Sequence, residues 1–262
     1  MKKQATNAQL IPLQARFAQL IVYYFHTHLC ILGQFGLTLL FIHGAGASPA
    51  VWRLQLRQFK DSAAIELPGH PNGQSLGSVE DYARIVSDYV TEHSVQQPVL
   101  VGHSMGGAIA IEYATAYNNL HALVLIGTGA RLRVRPEFLL KIKNDYGEAA
   151  KLIASWSVSP KSDPILAQRL ANDLLRVMPE VAYGDFSACD KFDRMNDLGR
   201  IRCRTLIICG VDDRMTPAKY SEYLHENIKG SELVLIPDAG HSVMLEKHRE
   251  FNQALEAFLA SL

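Results

Sequence analysis

The sequence predicts an α/β fold, in which a mostly parallel β-sheet carries helices on both faces and a helical insertion interrupts the alternation. Short apolar runs alternate with helical stretches from about residue 38 to residue 126, and again from residue 205 to residue 259. Between them, residues 129 to 199 are mostly helical in pattern. Alternation of this kind is typical of a parallel sheet, because each parallel connection needs a crossover that usually contains a helix.

The individual elements follow from apolar runs bounded by glycine, proline and polar turn residues. The predicted strands are Thr38–Ile42, Ala63–Leu67, Pro98–Val101, Leu120–Ile126, Thr205–Cys209 and Glu232–Ile236. The predicted helices are Val51–Phe59, Val79–His93, Met105–Tyr117, Ala218–Ile228 and about His248 to Leu259. Such a sheet places the carboxyl ends of its strands at one edge, where open α/β sheets bind ligands.

The helical block from residue 129 to residue 199 is predicted to form a cap, and residues 1–128 and 200–262 together the core domain. Prolines interrupt the block at Pro136, Pro160, Pro164 and Pro179. The block stands between two loops with chemically suggestive residues, so an insertion at that edge would cover the binding site. The alternative is that the block only adds bulk to the fold.

The N-terminal region contains an apolar span, Leu20–Ile42, that is long enough to raise the question of a membrane segment. Polar residues and glycines interrupt the span, so we interpret it as two or three core strands and expect no stable membrane insertion. A membrane anchor is the minor alternative. His26 and His28 lie two residues apart and could suit a metal, but without a third ligand in view we predict no metal site.

Composition argues against several classes of function. Lys and Arg together number 26, as do Asp and Glu, so the formal net charge is +0. Nucleic-acid-binding proteins usually carry a basic excess, and we predict no nucleic-acid partner. The four cysteines, Cys30, Cys189, Cys203 and Cys209, form no CxxC pair. We interpret Cys203 and Cys209 as buried thiols and expect a reducing, cytoplasmic location.

The strongest functional signal is the segment Gly102-His103-Ser104-Met105-Gly106, between a predicted strand and a predicted helix. A serine at a sharp strand-to-helix turn needs unusual backbone angles, and glycines two residues before and after it remove side chains that would clash. The turn lifts the Ser104 hydroxyl above the sheet at a helix N-terminus, which favours developing negative charge. Ser104 is therefore the predicted nucleophile.

A serine hydroxyl needs a base to become an effective nucleophile. His241 lies after the last predicted strand and before the last helix, in a loop at the carboxyl end of the sheet, and is the predicted base. His103 adjoins the serine but is expected to point away from it across the turn. His43 and His70 also lie in loops, where we interpret them as structural braces.

The imidazole in turn needs an anion to hold its tautomer. The loop after Thr205–Cys209 offers Asp212 and Asp213, and on position alone either could serve. An oxyanion hole needs two backbone N–H donors. We assign one to Met105, directly after the serine, and the other to Ala45, in the loop of small residues that follows the first predicted strand.

These segments resemble the α/β-hydrolase superfamily, in the branch of small serine esterases with a helical cap. The matching segments, in the family's order, are Phe41–Gly46, Leu67–Pro71, Gly102–Gly107, Gly210–Pro217 and Gly240–Glu246. The family pattern GxxDxxxP selects Asp213 as the acid. The resemblance also implies the α/β-hydrolase fold, a cap that lines the substrate pocket, and neither a metal nor an organic cofactor.

The chain departs from the family pattern at two places. Residues 1–36 do not clearly contain the polar turn of the family's opening hairpin, and Pro71 stands where the family often has glycine. Neither departure touches the predicted nucleophile, base or acid.

The predicted function is hydrolysis of carboxylic esters with short to medium acyl chains, through an acyl-enzyme. Ester cleavage ranks first because it asks nothing beyond the parts identified, and we expect Trp156 and Met244 to contact the substrate. The same residues leave open a lactonase, a thioesterase or a carbon–carbon bond hydrolase. Two hypotheses of a different class are a ligand receptor with little turnover and a structural protein with a decayed site. The oligomeric state is left open.

Overall fold

The computed structural model describes residues 37–117 and 119–262. In this part of the chain, the strands β1 to β6 form one sheet with the order β2-β1-β3-β4-β5-β6, and every neighbouring pair is parallel. The strands are β1 (Leu39–Ile42), β2 (Ser62–Ile65), β3 (Val99–His103), β4 (Ala122–Ile126), β5 (Arg204–Gly210) and β6 (Glu232–Ile236). The predicted parallel sheet is confirmed.

Helices connect successive strands. They are α1 (Arg53–Gln58), α2 (Val79–Glu92), α3 (Met105–Ala116), α4 (Pro136–Asn144), α5 (Tyr146–Trp156), α6 (Pro164–Leu174), α7 (Pro179–Lys191), α8 (Ala218–Asn227), α9 (Val243–Glu246) and α10 (His248–Leu259). Short 3₁₀ turns cover Pro49–Trp52 and Leu198–Arg200. The helix predicted at Val51–Phe59 is thus a 3₁₀ turn followed by the short helix α1.

Helices cover the sheet on both faces because successive strand residues point to opposite sides. Leu40 and Ile42 of β1 pack in one apolar cluster with residues of α2 and α3. Leu39 and Phe41 of the same strand pack in a second cluster with residues of α10. Helix α3 is apolar on nearly all sides and almost entirely buried, as expected for a helix at the centre of one layer.

Three strands end at different residues from those predicted, and of these β5 ends at Gly210 instead of Cys209. Strand β3 continues to His103, one residue before the serine. Strand β2 ends at Ile65 instead of Leu67, because the Leu67 N–H leaves the ladder and donates to Nε2 of His43 at 3.4 Å. This hydrogen bond ties the loop after β2 to the loop after β1.

The helices α4 to α7 lie between β4 and β5, where the sequence predicts the insertion. Pro136, Pro164 and Pro179 each occupy the first turn of a helix, where proline lacks only an N–H that has no intrahelical acceptor. The helices share an apolar cluster of their own, which includes Ile153, Leu174 and Phe186. Ala45 and Met215, from loops of the sheet layer, pack against this cluster. The division into core and cap stays a prediction.

Several expectations concern residues outside the described ranges: the strands before Leu37, His26, His28 and Cys30. Among the described residues, no helix combines the length and apolar character needed to cross a bilayer. The described cysteines are free thiols; Cys189 and Cys209 are buried, whereas Cys203 is half-buried.

Candidate active site

Ser104 occupies the sharp turn between β3 and α3. Its backbone angles are φ 54° and ψ −117°, a region that non-glycine residues rarely adopt and that costs energy to maintain. The surrounding hydrogen bonds hold the turn. The Ser104 N–H donates to the Ile126 carbonyl at 2.9 Å, and the Ser104 carbonyl accepts from Thr128 Oγ1 at 2.8 Å. Strand β4 and the loop that follows it therefore hold the backbone of Ser104 in this strained conformation.

The glycines around Ser104 are required by close backbone contacts. A Cβ on Gly102 would overlap the carbonyl oxygen of Gly106, and a Cβ on Gly106 would overlap the carbonyl oxygen of Ile42. Helix α3 thus begins directly against the end of β1, and a side chain at either position would push the two apart.

His241 and Asp213 are hydrogen-bonded at the carboxyl edge of the sheet, with 2.8 Å between Nδ1 of His241 and Oδ2 of Asp213. Oδ1 of Asp213 accepts the backbone N–H groups of Met215 at 2.8 Å and Thr216 at 2.9 Å. Burial raises the pKa of Asp213, but the neighbouring His241 and the hydrogen bonds from His241 and Thr216 outweigh burial and lower it. Asp213 is therefore held as a carboxylate.

Asp212 lies elsewhere. Its Oδ2 accepts the hydroxyl of Ser159 at 2.6 Å, and its N–H donates to the Ala239 carbonyl at 2.8 Å. The structure places Asp213, and not Asp212, against the imidazole of His241.

Thr216 and Gly127 belong to the site although the sequence interpretation gave them no role. Thr216 Oγ1 donates to Oδ2 of Asp213 at 2.9 Å and lies 3.2 Å from Nδ1 of His241. Gly127, at φ 48°, leaves space for the pair, because a Cβ there would lie 3.2 Å from Nδ1 of His241. Thr216 could have been found from its position three residues after Asp213, whereas Gly127 carries no such local signal.

His103 lines the same cavity as Ser104 and holds the loop that carries His241. Its Nε2 donates to the backbone carbonyl of His241 at 2.9 Å, and the two rings are 4.6 Å apart. Burial and the proximity of His241 lower the pKa of His103 to about 3. His103 is thus a neutral hydrogen-bond donor that fixes the position of the His241 backbone.

Glu246 links the loop that carries His241 to the helical insertion. Its Oε1 accepts the N–H of Gly240 at 2.9 Å, and its Oε2 accepts the N–H of Ser159 at 2.7 Å. Ser242 N–H also donates to the Ser157 carbonyl at 2.8 Å. The segment around His241 therefore depends on the α5–α6 connection for its position.

The N–H groups of Ala45 and Met105 have no hydrogen-bond acceptor among the described residues. Met105 is the first residue of α3, where a helix offers no carbonyl for the N–H. A Cβ on Gly44, next to Ala45, would lie 3.1 Å from Cβ of Ser104, so the loop after β1 passes directly beside the serine. Two unpaired amide donors near one hydroxyl can bind an oxyanion.

A small, mostly apolar cavity opens at the serine, with about 70 Å³ of space for the centres of water molecules. Ala45, Ser104, His241 and Met244 line it. The insertion contributes Ile153, Ser157, Leu170, Asp173, Leu174 and Phe186. Trp156, expected at the substrate, is not among the lining residues; it stacks on Phe138 with ring centroids 6.1 Å apart. Trp156 packs against a neighbouring helix of the insertion, because the side of α5 that carries Trp156 faces α4.

Among residues 37–117 and 119–262, no group of three or more His, Cys, Asp or Glu side chains is arranged to hold a metal ion.

Comparisons with known proteins identify the family. The model of the alpha/beta hydrolase family matches residues 39–254. A pimeloyl-[acyl-carrier protein] methyl ester esterase of Neisseria meningitidis is 27% identical over 237 residues, 80% of this chain and 88% of the relative. The solved structure of a thermophilic esterase is 39% identical and superposes with a TM-score of 0.76, over 86% of this chain and 90% of that chain.

An esterase from Exiguobacterium antarcticum has a TM-score of 0.80 at 21% identity, over 86% of this chain and 92% of that chain, which shows a shared fold. The family model covers most of the chain, including the turn at Ser104 and the loops that carry Asp213 and His241. The chain belongs to the α/β-hydrolase family and resembles its esterases.

Proposed function

We propose that the protein is a serine hydrolase that cleaves carboxylic esters of short to medium acyl chain through an acyl-enzyme intermediate. One observation carries the proposal: Ser104, at its strained turn, and His241 line the same cavity, and His241 is hydrogen-bonded to Asp213. The substrate is a small molecule, and neither a nucleic acid nor a cofactor is required. The described cysteines are free thiols, which fits a cytoplasmic location.

The chemistry follows from the hydrogen bonds. Asp213 accepts a hydrogen bond from the Nδ1–H of His241, which fixes the tautomer in which Nε2 is unprotonated and can act as the base. Nε2 takes the proton of the Ser104 hydroxyl while Oγ attacks the ester carbonyl carbon. The carbonyl oxygen becomes an oxyanion, and the N–H groups of Ala45 and Met105 stabilise it.

Collapse of the tetrahedral intermediate expels the alcohol, which takes the proton from His241 and leaves the acyl group on Ser104. A water molecule then enters, gives its proton to His241 and attacks the acyl carbon. The second collapse releases the carboxylic acid and returns the proton to Ser104. The same donors serve both steps, so no further group is needed.

The size of the cavity supports small acyl groups. Its apolar lining, including Ile153, Leu174 and Met244, suits an aliphatic chain. Two of the similar proteins are named for ester cleavage, which supports esters over thioesters, lactones and carbon–carbon bonds.

The test is a panel of nitrophenyl esters, lactones and acyl thioesters offered to the wild-type protein and to Ser104→Ala. We expect sustained turnover of the esters by the wild-type protein alone. Preferred turnover of a lactone or thioester would replace the substrate class. A burst without sustained turnover on every compound would indicate a ligand receptor.

A further inference from the structure

Asp185, on helix α7 of the insertion, is a fully buried carboxylate that reaches the loop after β1. Its Oδ2 accepts the backbone N–H of Gly46 at 2.9 Å and lies 2.7 Å from Nε2 of His70. Its Oδ1 accepts the hydroxyl of Tyr82, on helix α2, at 2.7 Å. One side chain of the insertion thus joins three separate parts of the sheet layer.

The hydrogen bonds of His70 define its charge. Nδ1 faces the carbonyl oxygens of Pro68 at 3.1 Å and Leu67 at 3.3 Å, and Nε2 faces the Asp185 carboxylate. Both ring nitrogens meet acceptors, so both must carry protons. Although burial lowers the pKa of His70, the hydrogen bond and charge of Asp185 outweigh burial and raise it. His70 is the imidazolium that balances the buried carboxylate.

Gly46 directly follows Ala45, the predicted oxyanion donor. Gly46 has φ 63°, and a Cβ there would lie 2.9 Å from Cδ2 of Leu174. The turn at Gly46 therefore fits closely under the insertion, and its N–H has Asp185 as its acceptor. If the N–H of Gly46 lost this acceptor, the peptide group between Ala45 and Gly46 would be free to rotate. The direction of the Ala45 N–H would then no longer be fixed.

We propose that Asp185 is a positioning residue that holds the loop after β1 through Gly46, so that the N–H of Ala45 points at the oxyanion. The inference rests on the proposed function, since an oxyanion forms only if Ser104 attacks a carbonyl. It goes beyond that function because the oxyanion hole is complete only while helix α7 is docked on the sheet layer. Tyr82 and His70 act through Asp185: Tyr82 fixes the orientation of its carboxylate, and His70 balances its charge.

The decisive variant is Asp185→Asn, which keeps the size of the side chain but replaces one acceptor oxygen with a donor. We expect kcat on a short-chain ester to fall ~10- to 100-fold, because a displacement of about 1 Å at a reacting group can lower the rate by about 100-fold. KM should change by less than about 2-fold, because ground-state binding does not use the oxyanion donors. The Ki of an alkyl boronic acid, whose oxygen takes the oxyanion position on Ser104, should rise in proportion to the fall in kcat.

Asp190→Asn is the matched control. Asp190 lies on the same helix, and its Oδ1 also accepts a backbone N–H, that of Val134 at 2.9 Å. This variant should keep kcat and the boronic acid Ki, and its Tm should fall by less than that of Asp185→Asn, because Asp190 is only half-buried. Unchanged kcat and Ki in folded Asp185→Asn would overturn the proposal, as would equal losses in the two variants.

A second variant decides the matter if Asp185→Asn does not fold. Tyr82→Phe removes the donor to Oδ1 and frees the carboxylate to rotate away from Gly46. A lower kcat at constant KM supports the inference, and an unchanged kcat contradicts it. The proposed function is tested separately and is contradicted if Ser104→Ala retains ester turnover. In that case the contacts of Asp185 would have no role in catalysis.

Discussion

Oδ2 of Asp213 lies 2.8 Å from Nδ1 of His241, while the carboxylate of the adjacent Asp212 binds the hydroxyl of Ser159 at 2.6 Å. The two neighbouring carboxylates therefore serve different parts of the molecule. Asp213 orients the imidazole of His241, and Asp212 links the loop after β5 to the connection between α5 and α6.

Replacing each aspartate by asparagine separates these roles. Asp213→Asn should lower kcat roughly 10⁴-fold, because the amide favours the wrong tautomer of the histidine. Asp212→Asn should change kcat by less than about 10-fold, since it loses one partly buried hydrogen bond. Steady-state kinetics on one ester measure both, and a far larger loss at Asp212 would reverse the assignment.

Turnover should survive chelation. The proposed chemistry uses a serine, a histidine and backbone donors, and none of these needs a metal ion. We expect kcat after dialysis against EDTA to equal that of the untreated protein. Loss of turnover in EDTA, with recovery on adding zinc or calcium, would contradict the mechanism.

Stability should fall in weak acid because two histidines are buried in the neutral form. Burial and the proximity of His70 lower the pKa of His43 to about 3, and burial lowers that of His103 to about 3. Between pH 6.5 and 3 the unfolded chain binds protons at these residues and the folded chain does not. Each histidine should therefore cost about 1.4 kcal/mol of unfolding free energy per pH unit as the pH falls.

His43→Gln checks this sign. Urea unfolding at several pH values between 4 and 7.5 should give a shallower dependence on pH for the variant than for the wild-type protein, because one proton-binding difference is gone. Contributions of the remaining titrating groups, including His70 and Asp213, are common to both proteins and cancel. Parallel curves for the two proteins would contradict the neutral, buried state of His43.

The insertion should limit the length of the acyl chain. Leu174 lines the cavity from helix α6, and each additional methylene that fits contributes about 0.8 kcal/mol, or roughly 4-fold in rate. Leu174→Ala should shift the optimum in a nitrophenyl ester series towards longer chains. Ile165→Ala, exposed on the same helix, should leave the optimum in place. Best wild-type activity on palmitate, with activation at an oil interface, would contradict a covered cavity.

The fold could be predicted, and candidates for the central residues of the site chosen, because their signals are local. The turn at Ser104 has glycines within two residues, and Asp213 sits in a short pattern with Pro217. The contacts of Asp185 could not be predicted, since its partners Gly46 and His70 lie 139 and 115 residues away in sequence. The position of Trp156 outside the cavity lining has a related reason: an apolar residue on an inserted helix can face either the cavity or a neighbouring helix.

The central claim is that Ser104 is the nucleophile, and covalent labelling by a fluorophosphonate followed by peptide mass spectrometry tests it most directly. The wild-type protein should carry the label on Ser104 alone, and Ser104→Ala should take no label and lose turnover by roughly 10⁶-fold. Ser155→Ala, at an exposed serine of helix α5, should label and turn over like the wild-type protein. Labelling at another serine, or near-normal turnover by Ser104→Ala, would contradict the account.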